Sequence, residues 1–160
     1  GNYKKAVYYA DIILKKEKIE DKVKSDAQII IARSAFKNGD FEKAREAFKV
    51  VEKSAKGEQK AEAIYYDALF MHREGDYKNS NIVIQKLASD YGNYRYWGAK
   101  GLVIMAKNFY ELADYYQATY ILDNVLKNFA DYTDVAEEAK IELQKIKKEQ
   151  AKTNESVIQK

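Results

Sequence analysis

The sequence predicts an all-α fold, an array of antiparallel helix hairpins with about eight helices. The 160 residues contain no proline and only seven glycines, which removes the usual punctuation of an all-β fold. Hydrophobic residues make up 46% of the chain and charged residues 33%, a balance typical of a folded domain. A tripeptide of glycine, asparagine or aspartate, and an aromatic residue also recurs at nearly regular spacing, which indicates stacked supersecondary units.

The recurring tripeptide predicts four tight turns. Its copies begin 36 or 38 residues apart, and alanine replaces glycine in the last copy. We expect Gly39 and Gly75 to end one helix in the left-handed conformation. Asp40 and Asp76 are then expected to cap the following helix by accepting a backbone N–H. The copies lie at residues 1–3, 39–41, 75–77 and 113–115.

Small residues stand at fixed distances on both sides of these turns, seven positions before the start and five after it. Two antiparallel helices need small residues where they cross closest, at about 8–10 Å between their axes. Apolar residues nine and twelve positions after each turn start form one helical face, which we expect to point inward. The crossing pairs are Ala32/Ala44, Ala68/Ser80 and Ala106/Ala118, with Ala6 after the first turn. The inward pairs are Ala10/Ile13, Phe48/Val51, Ile84/Leu87 and Leu122/Val125.

This pattern resembles the tetratricopeptide repeat (TPR), a helix-turn-helix unit with small residues at its eighth and twentieth places and a Gly-Asp-Tyr-like turn. The crossing pairs match the small places, and the tripeptides match the turn. The chain departs from the family at the fourth place, where Gln28, Ile64 or Leu102 replaces the usual tryptophan, and it lacks the late proline. The resemblance implies a right-handed superhelical array.

The aligned turns predict that residues 1–151 form a single array of repeated units. Because a solenoid repeat cannot bury its apolar face alone, the half repeat at the start leads us to expect that the chain is the C-terminal part of a longer protein. The expected units are a half repeat at 1–20, repeats at about 22–56, 58–92 and 94–130, a capping helix at 132–151 and a flexible tail at 152–160.

The predicted capping helix carries Val135, Ala139, Leu143 and Ile146 on one stripe, with Glu and Lys on its other faces. That distribution suits a helix that covers the last repeat and faces water. The segment 128–146 also resembles the repeat ends of bacterial envelope TPR proteins, those linked to outer-membrane assembly and to the Tol-Pal system. The compartment stays open, with a lean to the bacterial periplasm or cell envelope over the cytoplasm.

The inventory of reactive side chains predicts that the chain is not an enzyme. It has one histidine, His72, and no cysteine, and no motif for a catalytic, metal or cofactor site accompanies them. We expect His72 to be an interior or groove-lining imidazole. Asp67 lies in a mostly apolar stretch, so burial would require a hydrogen-bond partner, and a role in a groove is the alternative.

In TPR proteins the first helix of each repeat lines a concave groove, so the resemblance implies a peptide-binding surface here. Aromatic side chains interleaved with Arg and Lys are typical of interfaces, although ordinary core packing is the alternative for each of them. The Lys/Asn set with which chaperone-binding TPRs clamp a carboxylate is absent, because Ile29, Arg33 and Tyr66 take its places. The expected groove residues are Ile29, Arg33, Phe36, Tyr65, Leu69, His72, Val103, Lys107 and Tyr110.

An aromatic segment with Tyr94, Tyr96 and Trp97, about one turn before the predicted first helix of the fourth unit, has two interpretations. Its rings either cover the preceding hairpin or form an exposed contact patch. Gly98 and Gly101 would weaken the helix that follows by about 1 kcal/mol each relative to alanine. We expect a closely approaching neighbouring helix to account for both glycines.

These observations favour a non-enzymatic scaffold that binds a protein or peptide of unknown identity. The alternative is a structural spacer or assembly element of a cell-envelope complex, with self-association through the exposed first helix. Nucleic-acid binding ranks below both, because the net charge of +3 comes from mixed charges without a basic stripe. The apolar runs at 27–32 and 101–106 are too short to span a bilayer.

Overall fold

The computed structural model describes the backbone of residues 3–158 and the side chains of residues 4–151. The prediction of an all-α helical array is confirmed: the described residues form eight consecutive helices and no strand. The predicted first turn starts at Gly1 and Asn2, which lie outside the described residues. The helices are α1 (Tyr3–Leu14), α2 (Asp21–Lys37), α3 (Phe41–Ser54), α4 (Gly57–Arg73), α5 (Tyr77–Asp90), α6 (Arg95–Glu111), α7 (Tyr115–Asn128) and α8 (Thr133–Ile158).

The last helix is longer than the sequence predicts. The expected capping helix ends at 151, whereas α8 continues to Ile158. Its predicted buried stripe is present, with exposures of 7% or less, at Val135, Ala139, Leu143 and Ile146. The side chains of the predicted tail at 152–160, and all of residues 159–160, lie outside the described part of the chain.

The turns between α2 and α3 and between α4 and α5 share one backbone geometry. Gly39 and Gly75 have φ values of 78° and 81°, the left-handed conformation expected from the sequence. Ala113 takes the same conformation before α7, with φ 62°, at a steric cost that glycine avoids. In each turn the next residue bonds back across the helix end, as Asp40 N–H does to Ala35 O at 3.0 Å.

Aspartate follows the left-handed residue in all three turns, but only two of the three aspartates cap a helix. The side chains of Asp40 and Asp114 accept hydrogen bonds from the backbone N–H of the residue three positions on, at 3.2 and 3.1 Å. The expected cap at Asp76 is wrong. Its carboxylate instead accepts a hydrogen bond from the side chain of Asn79 at 2.8 Å, so a local side-chain donor replaces the backbone.

The helix crossings lie where the small residues predict them. Residues at these positions are fully buried, which allows the two helix backbones of each hairpin to approach closely. The predicted inward pairs are also buried, except that Ile13 is only half-buried. The fully buried crossing residues are Ala32, Ala44, Ala68, Ser80, Ala106 and Ala118.

Each helix packs against the next one in sequence, and the core follows the array as three clusters of buried side chains. In addition, α4 packs on α6 and α6 packs on α8. Within residues 3–158, no contact of similar extent joins α3 to α5 or α5 to α7. Along α4, α6 and α8, the first helices are therefore closer to one another than the second helices are, whereas α2 and α4 share no contact of that extent. We call α2, α4, α6 and α8 the inner row.

The predicted aromatic segment lies at the start of α6, where Trp97 covers the preceding hairpin and Tyr96 donates a hydrogen bond to Asp134 at 2.8 Å. Trp97 is buried, and its ring centroid lies 5.4 Å from that of Tyr65 on α4. A Cβ at Gly101 would meet Ile84 of α5 at 3.2 Å, so close approach of a helix explains this glycine as expected. The same explanation is wrong for Gly98, where a Cβ would meet nothing within 4 Å.

None of the helices described between residues 3 and 158 combines the length and apolar character that a membrane crossing requires.

Candidate protein-binding surface

The inner row carries all nine predicted groove residues, but at different depths. Ile29, Tyr65 and Val103 are buried in the core, so their side chains support this surface from behind and offer little area to a ligand. Arg33 is exposed, and the remaining five residues are partly exposed. Those five are Phe36, Leu69, His72, Lys107 and Tyr110.

Arg33 on α2 is paired with Glu62 on α4. Its Nε donates to one carboxylate oxygen at 2.7 Å and its second guanidinium nitrogen contacts the other oxygen, which gives a bidentate pair. The Glu62 side chain is only 2% exposed, whereas that of Arg33 is 49% exposed. The hydrogen bond to Glu62 raises the pKa of Arg33. Arg33 thus neutralises a buried carboxylate and also faces outward.

Lys107 on α6 pairs with carboxylates on α8, as Arg33 on α2 pairs with Glu62 on α4. Its Nζ lies 2.6 Å from Glu138 and 3.4 Å from Glu142. Burial opposes the charge on Lys107, but the hydrogen bond and attraction to Glu138 outweigh it and raise the pKa of Lys107. Relative to the turns that follow them, Lys107 is at the position of Arg33. One cation–carboxylate link therefore recurs between neighbouring inner helices.

The middle of the inner row has no such link. The position of Arg33 is taken by Leu69 in α4, and the position of Glu62 is taken by Lys100 in α6. The Nζ of Lys100 lies 5.4 Å from the ring centroid of Tyr65 and 4.0 Å from a carboxylate oxygen of Asp134. The centre of the row thus consists of the apolar Leu69 beside the cation Lys100. The Tyr65 ring and the Asp134 carboxylate hold Lys100 in place.

The third predicted set, Phe36, His72 and Tyr110, occupies one equivalent position in α2, α4 and α6. Phe36 packs edge to face on Tyr66, with centroids 4.8 Å apart. The hydroxyl of Tyr110 contacts the carboxylate of Glu149 on α8, and this hydrogen bond raises the pKa of Tyr110 to about 12. The three side chains therefore reach toward the next helix along the row by packing or by hydrogen bonding.

His72 belongs to a buried polar network centred on Asn108. The Asn108 Nδ2 donates to Ser80 Oγ at 2.8 Å and to Asn81 Oδ1 at 2.7 Å. Asn108 Oδ1, which can only accept, lies 2.7 Å from His72 Nδ1. His72 must therefore carry a proton on Nδ1. Ser80 donates onward to the carbonyl of Ala68, so the network links α4, α5 and α6.

Asp67 lies on α4 and faces α3 rather than the inner row. Its carboxyl group is half-buried, and this desolvation raises its pKa, against the attraction of Arg45 and Lys49. A cleft of about 500 Å³ opens beside the turns here, and Arg73 stacks on the Phe41 ring at 3.7 Å. The cleft lining includes three cationic and three acidic side chains, so its charges balance.

The sequence left two features of this surface unassigned. One is the acidic partner of each inner cation, because Glu62 and Glu138 lie about thirty residues away and on separate helices. The other is the stack of Tyr66 on Phe48, with centroids 3.9 Å apart, inside the first two repeats. No local sequence signal marks these acids, because each lies on a different helix from its cation.

Chemically, this surface offers aromatic and aliphatic area with charges that are already paired. Among the described side chains, no group of three or more His, Cys, Asp or Glu residues is arranged to hold a metal ion. No protein-family model matches the chain, and no curated protein sequence matches it significantly.

Proposed function

We propose that the chain is a non-enzymatic scaffold of the TPR type that binds a protein or peptide on its inner row. The observation that carries this proposal is a run of partly exposed side chains at equivalent positions of α2, α4 and α6. A ligand that lay across the three helices would contact these side chains in succession. Side chains of this mixed aromatic and cationic kind are enriched at interfaces. Short links between the inner helices also hold them in place before a partner arrives.

The paired charges limit what the ligand can be. Arg33 and Lys107 already contact carboxylates, so a free C-terminal carboxylate would have to compete with Glu62 or Glu138 for them. The centre of the row, which lacks such a pair, is apolar at Leu69, and the partly exposed ring of Tyr110 lies on the neighbouring helix α6. A peptide that places an apolar side chain near Leu69 fits this surface better than a strongly acidic one.

The test is a selection of random peptides displayed on phage against the immobilised chain, followed by affinity measurements on variants. Leu69→Asp and Tyr110→Ala should each weaken the selected peptides by about tenfold, the usual scale for a central interface residue. The matched control is Tyr116→Ala with Tyr120→Ala on α7, both exposed on the outer side. Circular dichroism establishes that all variants remain folded. Peptides that ignore the inner variants and depend on the α7 pair would contradict the proposal.

A second candidate function is a spacer or assembly element that makes its contacts through the outer, second helices. The exposed tyrosines of α7 favour it. Tyr116 and Tyr120 are 74% and 58% exposed, and their rings lie parallel with centroids 6.5 Å apart. Large aromatic area of this kind commonly marks a contact surface. The control variants above separate this function from binding on the inner row.

Nucleic-acid binding has less support, because the inner cations that could contact phosphates are engaged by carboxylates. It would produce a steep loss of affinity with added salt. We also propose that the scaffold acts in the bacterial cell envelope. Only the resemblance of segment 128–146 supports that location.

A further inference from the structure

The connections that lead into α4, α6 and α8 differ in length and in composition. Residues 91–94 join α5 to α6, and residues 129–132 join α7 to α8. The connection between α3 and α4 has only two residues, Ala55 and Lys56. The longer connections contain tyrosine or phenylalanine, whereas the short one has no aromatic residue. The connection into α4 therefore lacks the rings that the later two have.

In the two longer connections, the tyrosine directly before the next helix lies against the start of the preceding inner helix. Tyr94 lies against the first residue of α4, since a Cβ added at Gly57 would be 2.9 Å from the Tyr94 hydroxyl. Tyr132 packs edge to face on Tyr96, the second residue of α6, with ring centroids 5.4 Å apart. A ring thus covers the same place at both of these junctions.

At the junction between α2 and α4, Lys56 stands in the place of these tyrosines. A cavity of about 410 Å³ opens beside it, with walls from the start of α2, the end of α3 and the start of α4. The cavity therefore lies between two hairpins, both within the described part of the chain. Its volume is in the range of about 300–1,000 Å³ that is usual for small-ligand sites. The place that a ring covers at the later junctions is open here.

Ser25 of α2 brings a polar group without a partner to the lining of this cavity. The residue is only 5% exposed, and within the described part of the chain its hydroxyl has no hydrogen-bond partner. The equivalent residues of α4 and α6 are Ala61 and Ala99, which are fully buried. Helix packing at this position therefore does not require a hydroxyl. Because a buried hydroxyl without a partner costs free energy, a ligand that forms a hydrogen bond here would remove that cost.

The charges of the lining favour a neutral ligand. Two cations and two acids line the cavity, and these are Lys22, Lys56, Asp21 and Asp26. Asp26 already accepts a hydrogen bond from the side chain of Gln59 on α4. A charged ligand would gain little net attraction from a lining of balanced charge. The two exposed lysines can instead lie against the face of an aromatic ring.

We propose that this cavity binds a tyrosine side chain, supplied by another protein or by a second copy of the chain. The ring takes the place that Tyr94 and Tyr132 have at the later junctions, and its hydroxyl forms a hydrogen bond with Ser25. The gain comes from burying the ring beside Lys22 and Lys56 and from giving the Ser25 hydroxyl a partner. This binding does not depend on the ligand proposed for the inner row.

The test is a titration of the whole chain with N-acetyl-tyrosinamide, followed by two-dimensional amide NMR. Shift changes should be confined to residues 21–26 and 54–59, with a dissociation constant on the order of 1 mM for so small a ligand. N-acetyl-phenylalaninamide lacks only the hydroxyl and should bind about fivefold more weakly. Ser25→Ala installs the residue of the later repeats and should bind both probes with the weaker affinity.

A second variant fills the cavity with a ring of the chain itself. Lys56→Tyr places a tyrosine directly before α4, as Tyr94 stands before α6, and should abolish binding of N-acetyl-tyrosinamide. The matched control is Lys86→Tyr at an exposed position of α5, which should leave the affinity unchanged. Leu69→Asp should also leave it unchanged, which separates the cavity from the inner-row surface. Thermal melts establish that the variants are folded.

Sedimentation distinguishes the two sources of the tyrosine. A wild-type chain that stays monomeric assigns the ring to another protein. A dimer that Lys56→Tyr dissociates assigns it to a second copy, whose Tyr116 is 74% exposed. Three results would overturn the proposal: no binding of N-acetyl-tyrosinamide at concentrations up to about 10 mM, equal affinity of the wild-type chain for the two probes, or binding that Lys56→Tyr leaves unchanged.

Discussion

Two successive junctions of the array use the same positions with opposite chemistry. At the first junction, between α2, α3 and α4, Phe36 contacts Phe70 edge to face, and Phe48 stacks on Tyr66. At the second, between α4, α5 and α6, His72 replaces Phe36, Ser80 replaces Ala44 and Asn108 replaces Phe70. Aromatic packing holds the first junction together, and a buried network of hydrogen bonds holds the second.

The comparison shows that helix register and core chemistry are set separately. Both junctions keep a fully buried small residue at the crossing, Ala44 or Ser80, so the backbones approach in the same way. The side chains of Ser80 and Asn108 have their partners inside that junction, which favours one arrangement of the three helices. We expect the stability of the first junction to depend on side-chain volume. The stability of the second junction should depend on its hydrogen-bond partners.

Removing a ring from the first junction should have the largest effect. Phe48→Ala deletes a 2% exposed side chain that stacks on Tyr66 and should lower the free energy of unfolding by about 3–5 kcal/mol. Urea denaturation followed by circular dichroism measures the change. Phe48→Leu keeps most of the volume and should cost less; equal losses for both substitutions would show that ring packing does not hold this junction.

Removing the central amide of the second junction should come next. Asn108→Leu has similar volume but leaves His72, Ser80 and Asn81 without their shared partner, at a cost of about 3 kcal/mol. The same urea experiment applies. In NMR spectra, the Nδ1 atom of His72 should also lose the nitrogen chemical shift that is typical of a hydrogen-bonded N–H. A stability equal to wild type would mean that the polar contacts are not needed.

Overpacking a crossing tests the register that both junctions share. Ala44→Leu inserts three carbons where α2 and α3 meet and should cost about 1–3 kcal/mol. Ala44→Ser is the matched control, because a hydroxyl there can donate to the carbonyl of Ala32 as Ser80 donates to Ala68. An unchanged melting temperature for Ala44→Leu would place the crossing elsewhere.

The smallest expected effect is a gain at the third turn. Ala113 holds the left-handed conformation that Gly39 and Gly75 hold in the other turns. Ala113→Gly should stabilise the chain by up to about 1 kcal/mol, since the steric cost of a Cβ at positive φ exceeds the extra entropy of glycine. Gly39→Ala is the reciprocal variant and should destabilise. Thermal melts that move in the same direction for both would refute the shared turn geometry.

The sequence predicts features that depend on local chemistry. Turn residues such as Gly39 and the small residues at the crossings are set by backbone geometry within one hairpin, so their spacing places the helices correctly. Contacts between hairpins are less visible. Arg33 and Glu62 pair because two repeats stack, and nothing near either residue in the sequence indicates the other. Ile29 looked like a groove residue, but its burial depends on packing from α3.

The missing cap at Asp76 has a different cause. Asp40 and Asp76 have the same place in the turn, yet only Asp40 bonds to the backbone. Asn79, three residues after Asp76, offers a side-chain amide that competes with the backbone N–H, whereas Lys43 stands at that place after Asp40. A difference of one residue therefore decides the partner, and both outcomes leave the helix start unchanged.

The central claim is that successive hairpins form an array in which each unit is stabilised by its neighbours. Native-state hydrogen exchange on wild type and Phe48→Ala tests it most directly. In an array, the loss should be concentrated in α2, α3 and α4, while amides of α6, α7 and α8 keep nearly wild-type protection. An equal loss of protection in all the described helices would contradict the claim, because it would show one indivisible core.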